Sequence, residues 1–136
     1  MLTGGCACGA VRYEAHGTPW HETLCHCPTC RRVAGAPAVA WFTVRRADLR
    51  LVAGTPTEFR SSPGVARGFC GACGTPLTYA RDDLPDEIDV TSASLDDPGA
   101  VPPRDQTQLG HRIPWMVPLP GLPGFPGARD DSSGET

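Results

Sequence analysis

Seven cysteines fall in three groups along this chain. Cys6 and Cys8 form C-x-C, Cys25, Cys27 and Cys30 form C-x-C-x-x-C, and Cys70 and Cys73 form C-x-x-C before Gly74. An odd number excludes a complete set of intrachain disulfides. Thiolates select zinc, Cu(I) or iron–sulfur clusters over hard cations, and no ferredoxin spacing is present, which favours zinc. The seven divide as four plus three. The distant pairs Cys6/Cys8 and Cys70/Cys73 could close a four-cysteine structural site. The compact triple Cys25/Cys27/Cys30 leaves one position open, as catalytic sites do. Spacing leaves other arrangements open: Cys6 could join the triple, or His26 could be its fourth ligand. Cys27-Pro-Thr-Cys30 also has the form of a redox dithiol, although it lies outside a βαβ pattern.

The residues around the triple sharpen its chemistry. Pro28 suits the first position of a helix, which puts Cys27 near the N-cap, where the helix dipole favours a thiolate. Three thiolates around a divalent cation leave one net negative charge, and Arg31 and Arg32 follow at once. They could offset that charge and hold the carboxylates of an incoming thiol peptide; otherwise they form a solvated helix face. His26 is the nearest proton carrier by sequence, or else it orients the cysteine loop. His16, His21 and His111 read as surface residues, and the acidic run from Asp82 to Glu87 as a solvated loop. All 12 basic residues are arginine. Without lysine there is no Schiff-base chemistry and no Walker-type phosphate loop.

The elements that must position these residues are short. The chain has 136 residues, with 16 glycines and 15 prolines, so turns and short strands are expected and a helical bundle is not. Strands are predicted over 11–15, 37–44, 65–69, 77–80 and 88–93, with Val90 as a core residue. Residues 49–52 and 57–60 read as a hairpin around Ala53-Gly-Thr-Pro56. A single helix is expected from about Pro28 to Gly35. From Pro98 the chain is proline-rich and reads as an extended arm in which Trp115, Met116, Leu119, Leu122 and Phe125 pack over the core. The domain then covers 1–126, and 127–136 is a flexible polar tail.

The net charge is −3, and no basic patch suggests nucleic acid. No apolar run is long enough for a membrane helix, and residues 1–9 do not read as a signal peptide. A cytoplasmic location is expected, where thiols stay reduced.

The cysteine-bearing segments resemble the glutathione-dependent formaldehyde-activating enzyme (GFA/CENP-V) family. The similarity runs through Gly4–Tyr13, Cys25–Arg31, Phe69–Leu77 and Ser94–Pro98, and covers about residues 3–125. The resemblance implies a mostly β, Mss4-like tent of short antiparallel strands with one short helix, stapled by zinc. It also implies two zinc ions per chain. Cys6, Cys8, Cys70 and Cys73 would hold the structural ion, and Cys25, Cys27 and Cys30 the catalytic one. Where many members carry a His-Ile pair after a proline, this chain has Pro103 followed by Arg104-Asp-Gln-Thr107. The expected activity is that of a carbon–sulfur lyase or synthase resembling S-(hydroxymethyl)glutathione synthase, acting on a small thiol and a small aldehyde. The rival expectation is a non-enzymatic zinc module that binds a protein partner, because a fold does not fix a function.

Overall fold

The computed structural model describes residues 1–129. Ten strands and one α-helix follow each other: β1 (Leu2–Gly5), β2 (Arg12–Ala15), β3 (Trp20–Cys25), α1 (Pro28–Ala34), β4 (Val39–Arg45), β5 (Leu49–Ala53), β6 (Thr57–Ser62), β7 (Val65–Phe69), β8 (Pro76–Arg81), β9 (Glu87–Thr91) and β10 (Asp105–Thr107). They form a three-stranded sheet, β1-β2-β5, and a seven-stranded sheet, β10-β3-β4-β9-β8-β7-β6. Every pairing between these strands is antiparallel except β10 with β3. The mostly β class with a single short helix is therefore as expected.

The pleat of the large sheet sorts residues between two cores. Phe42 pairs with Val90 and Val44 with Ile88, so these four share one face. On that face they pack with Tyr13, Leu77, Leu95, Cys6 and Cys70 in the larger core. Their neighbours Trp41 and Thr43 point the other way. Trp41 packs with Tyr79, Cys25, Cys27 and Cys30 in a second, smaller core. One strand thus serves both cysteine groups, and a one-residue slip of β4 would exchange its faces.

The segment Ser94–Pro98 staples the two sheets. Gly4 bridges to Leu95, and the Asp96 amide donates to the Thr3 carbonyl at 2.9 Å. The Asp96 carboxylate accepts from Thr3 Oγ1 at 2.7 Å and takes both Arg12 nitrogens at 2.9 and 2.5 Å. The Arg12 contact, with Thr3, draws its carboxyl down to about 2. Ser94 Oγ shares a 2.6 Å hydrogen bond with Tyr13 Oη.

Three expectations are corrected. The hairpin over 49–60 does not exist: β5 pairs with β2 in the small sheet, and β6 pairs with β7 in the large one. The link between them passes over the 6–11 turn. There Gly54 has φ 64°, and a Cβ on it would sit 2.2 Å from the Ala10 carbonyl oxygen. The proline-rich segment has little regular structure, and its one short strand is β10. Trp115 does not pack over the core; it is 71% exposed. The arm is held by its backbone instead. Gln106 and Phe125 exchange amide contacts with Pro123 and Gln106 carbonyls, and Leu109 and Gly110 donate to Phe125 and Pro126. This ordering continues past Pro126. The Gly127 carbonyl accepts from the Gln108 amide, and Arg129 pairs with Asp105. The rest of the expected tail, 130–136, lies outside the described residues.

Candidate functional site

Two turns build the four-cysteine group. The chain leaves β1 at Gly5 and reverses so that the Cys6 amide donates to the Val11 carbonyl, while the Gly9 amide returns to the Cys6 carbonyl. The second turn repeats this plan: Cys70 donates to Thr75, and Gly74 donates back to Cys70. Gly74 sits at φ 84°, a conformation a side chain would strain. The Val11 amide reaches Cys6 Sγ at 3.2 Å. Thr75, which the sequence did not single out, joins the turns. Its Oγ1 accepts from the Ala7 amide at 3.0 Å and meets Cys73 Sγ at 3.2 Å. The same hydroxyl is the foremost reason that Cys73 is drawn down to about 5.

The sulfurs have the spacing a tetrahedral ion requires. Cys6 and Cys8 are 3.6 Å apart, and Cys8 and Cys70 3.8 Å. A tetrahedron with metal–sulfur bonds of about 2.3 Å has edges of about 3.8 Å. All four ligand atoms lie within 4.8 Å of one another, and so do those of Cys25, Cys27 and Cys30. None of the seven cysteines is in a disulfide. The four-plus-three division is thus the one the chain adopts. Cys6 belongs with the distant pair, and among the described residues no histidine joins either group. Donor chemistry and spacing both fit zinc at each cluster.

The triple is set by the end of a strand and the start of a helix. Cys25 closes β3 opposite Val39. Cys27 caps α1 in extended conformation, and its Sγ accepts from the Cys30 amide at 3.2 Å. Pro28 opens the helix, and Gly35 ends it in the left-handed conformation. All three thiols are buried. Hydrogen bonds from Cys25 and Cys30 draw the Cys27 thiol down, whereas contacts with Cys27 and Cys30 push Cys25 up.

His26 is fully buried but turned to another task. Its amide donates to the Thr107 carbonyl at 3.0 Å, and its Nε2 meets Gln106 Oε1 at 3.4 Å. Burial foremost lowers its pKa, the Gln106 hydrogen bond opposes this, and Arg112 adds to it. Gln106 also clasps the arm: its Oε1 accepts from the Leu119 amide at 3.0 Å, and its Nε2 donates to the Leu119 carbonyl at 3.1 Å. The segment that departs from the His-Ile pattern therefore ties the cysteine loop to the arm.

Arg31 and Arg32 lie in the last turn of α1 and line a cleft of about 270 Å³ with Ile113 and Trp115 of the arm. A second, narrow cleft of about 10 Å³ reaches the triple itself, lined by His21, Thr23, Cys25, Trp41, Tyr79 and Asp89, among others. His21 was expected only as a surface residue. It is exposed, but at φ 52° it occupies the irregular register between Trp20 and Thr23 and borders this cleft. His16 and His111 are exposed as expected, and Asp82 and Asp83 are exposed and paired with Arg60 and Arg81.

Comparison with known proteins agrees with this geometry. A sequence model of the family described as glutathione-dependent formaldehyde-activating enzyme matches residues 1–109. A Halomonas elongata protein provisionally named a glutathione-dependent formaldehyde-activating enzyme is 28% identical over 126 residues, covering 85% of this chain and 80% of that protein. A crystal structure of a Rhodobacter sphaeroides protein superposes with a TM-score of 0.59 at 25% identity, covering 90% of this chain and 99% of the other.

Proposed function

Since this chain belongs to the glutathione-dependent formaldehyde-activating enzyme family, we propose that it joins a small thiol to a small aldehyde, or cleaves their adduct, at the Cys25/Cys27/Cys30 cluster. The observation that carries this reading is the second cluster, set apart from the four-cysteine site and supplying three sulfurs rather than four. Cys6, Cys8, Cys70 and Cys73 would hold a structural zinc, and the triple a catalytic one. A zinc ion there would lower the pKa of a thiol at its fourth position and stabilise the same sulfur as a leaving group.

In the forward direction the thiol sulfur forms a bond to the aldehyde carbon. The C=O π pair moves to oxygen, and the proton lost by the thiol ends on that oxygen. The narrow cleft beside Cys25 favours the smallest aldehyde over larger ones. The larger cleft beside Arg31 and Arg32 suits the carboxylates of a thiol peptide such as glutathione. Of the two roles open to His26, proton carrier and orienter of the cysteine loop, its contact with Gln106 and its burial favour the second. His21 and Asp89 border the reactive cleft and are better placed to carry the proton. A reducing, cytoplasmic location would keep the seven cysteines available as metal ligands.

The test is NMR exchange between formaldehyde and glutathione with and without protein. Exchange should accelerate with wild type and fall back by at least about 100-fold with Cys27→Ser, the loss expected when a nucleophile-activating group is removed. No acceleration with glutathione or other abundant thiols would shift the reading to a zinc module that binds a protein. The exposed Trp115 and Val117 of the arm would then be its first candidate surface.

A further inference from the structure

The most deeply buried cation is neither Arg31 nor Arg32. Arg67, in the middle of β7, is 2% exposed and is the largest fully buried side chain among the described residues. Charged side chains are rarely buried to this degree without a partner of opposite sign. Arg67 pairs with no carboxylate among the described residues. Its Nε donates to Ser61 Oγ at 3.0 Å, and its Nη1 lies 3.5 Å from Cys30 Sγ. The guanidinium carbon is 5.0 Å from the Tyr79 ring centre and 5.9 Å from that of Trp41. Nη2 is buried and has no hydrogen-bond partner among the described residues.

Ring faces offset only part of the cost of burying a charge. The balancing anion must come from the sulfur cluster and what it holds. Three thiolates around a divalent cation carry one net negative charge, and Arg67 makes the assembly neutral. A fourth, anionic sulfur then adds a single charge rather than a second one. From this we propose that Arg67 is the counter-cation of the three-cysteine site. It is a positioning residue that stabilises the loaded tri-thiolate cluster and biases its fourth position toward a thiolate over a neutral ligand. The inference rests on the reading that this cluster holds a divalent cation.

The experiment uses the metal-free protein titrated with Co²⁺ against a competing chelator, reading the thiolate-to-cobalt absorption. Cys27→Ser identifies which equivalent belongs to the triple. Arg67→Met should weaken that equivalent by about 10–100-fold, as changes behind a metal ligand do, and leave the four-cysteine equivalent unchanged. Arg67→Lys should recover most of the loss. On the cobalt-loaded protein, Arg67→Met should raise the 2-mercaptoethanol concentration needed for half-saturation without moving that of imidazole. Equal cobalt affinity in Arg67→Met and wild type would overturn the proposal, as would equal weakening of both equivalents. Should Arg67→Met fail to fold, Arg67→Lys decides alone: retained affinity supports the charge role, and a loss of about tenfold or more overturns it. Absence of a second cobalt equivalent in wild type would instead remove the site reading itself.

Discussion

Thr75 shows how much a single hydroxyl does at the four-cysteine group. It ties the Cys6 turn to the Cys70 turn and touches Cys73 directly. Thr75→Val keeps the shape and removes both contacts. It should cost about 1 kcal/mol through the lost hydrogen bond and speed metal release from the four-cysteine group, measurable by denaturant melts and chelator kinetics. Arg67 is the corresponding residue at the other cluster, and neither is legible from spacing. Thr75 is separated from Ala7 by 68 positions, and Arg67 from Cys30 by 37. The cysteines themselves were legible because a C-x-x-C turn is a local geometry. His26 was legible as a residue near the cluster, with orienting the cysteine loop as one of its two expected roles, but the partner that holds its ring was not. Its ring direction depends on Gln106, which lies 80 positions away.

At the level of elements, α1 and the β7–β8 turn were readable because proline, glycine and alternation act over a few residues. The strands β1, β3 and β10 were not. β1 contains two glycines, β3 is interrupted at His21, and β10 is a buried polar triplet, Asp-Gln-Thr, whose pairing with β3 is long-range. The false hairpin has the same origin: two adjacent strand-like runs with a Gly-Thr-Pro link carry no information about which sheet each joins. The coupling of β10 to the arm is testable. Gln106→Leu removes the clasp on Leu119 and leaves its amide and carbonyl without their partner. It should cost about 1–3 kcal/mol and increase amide exchange over residues 113–122, with smaller changes at His26. If exchange rises no more there than elsewhere, the clasp does not hold the arm.

Over the whole molecule, one seven-stranded sheet separates two cores: the larger takes in Cys6 and Cys70 of the four-cysteine group, whose Cys8 and Cys73 are exposed, and the smaller takes in the whole triple. The four-cysteine group joins turns 64 residues apart on the larger core, so a metal held there would contribute folding energy. The triple is confined to six residues and contributes less. Stepwise chelation should therefore remove one metal equivalent with little change in the melt, and a second with loss of cooperative unfolding. Cys27→Ser should abolish only the first step, while Cys73→Ser should prevent folding. Loss of both equivalents in one step would contradict this division. From the sequence alone came the family, the sulfur donors and their readiness for zinc, because cysteine turns are short-range and chemically distinctive. Only the tertiary structure decided that Cys6 and Cys8 join Cys70 and Cys73, that His26 faces Gln106, and that Arg67 lies beside the triple. Those facts depend on strand order and on which face of the pleat each residue takes, and no local pattern encodes either.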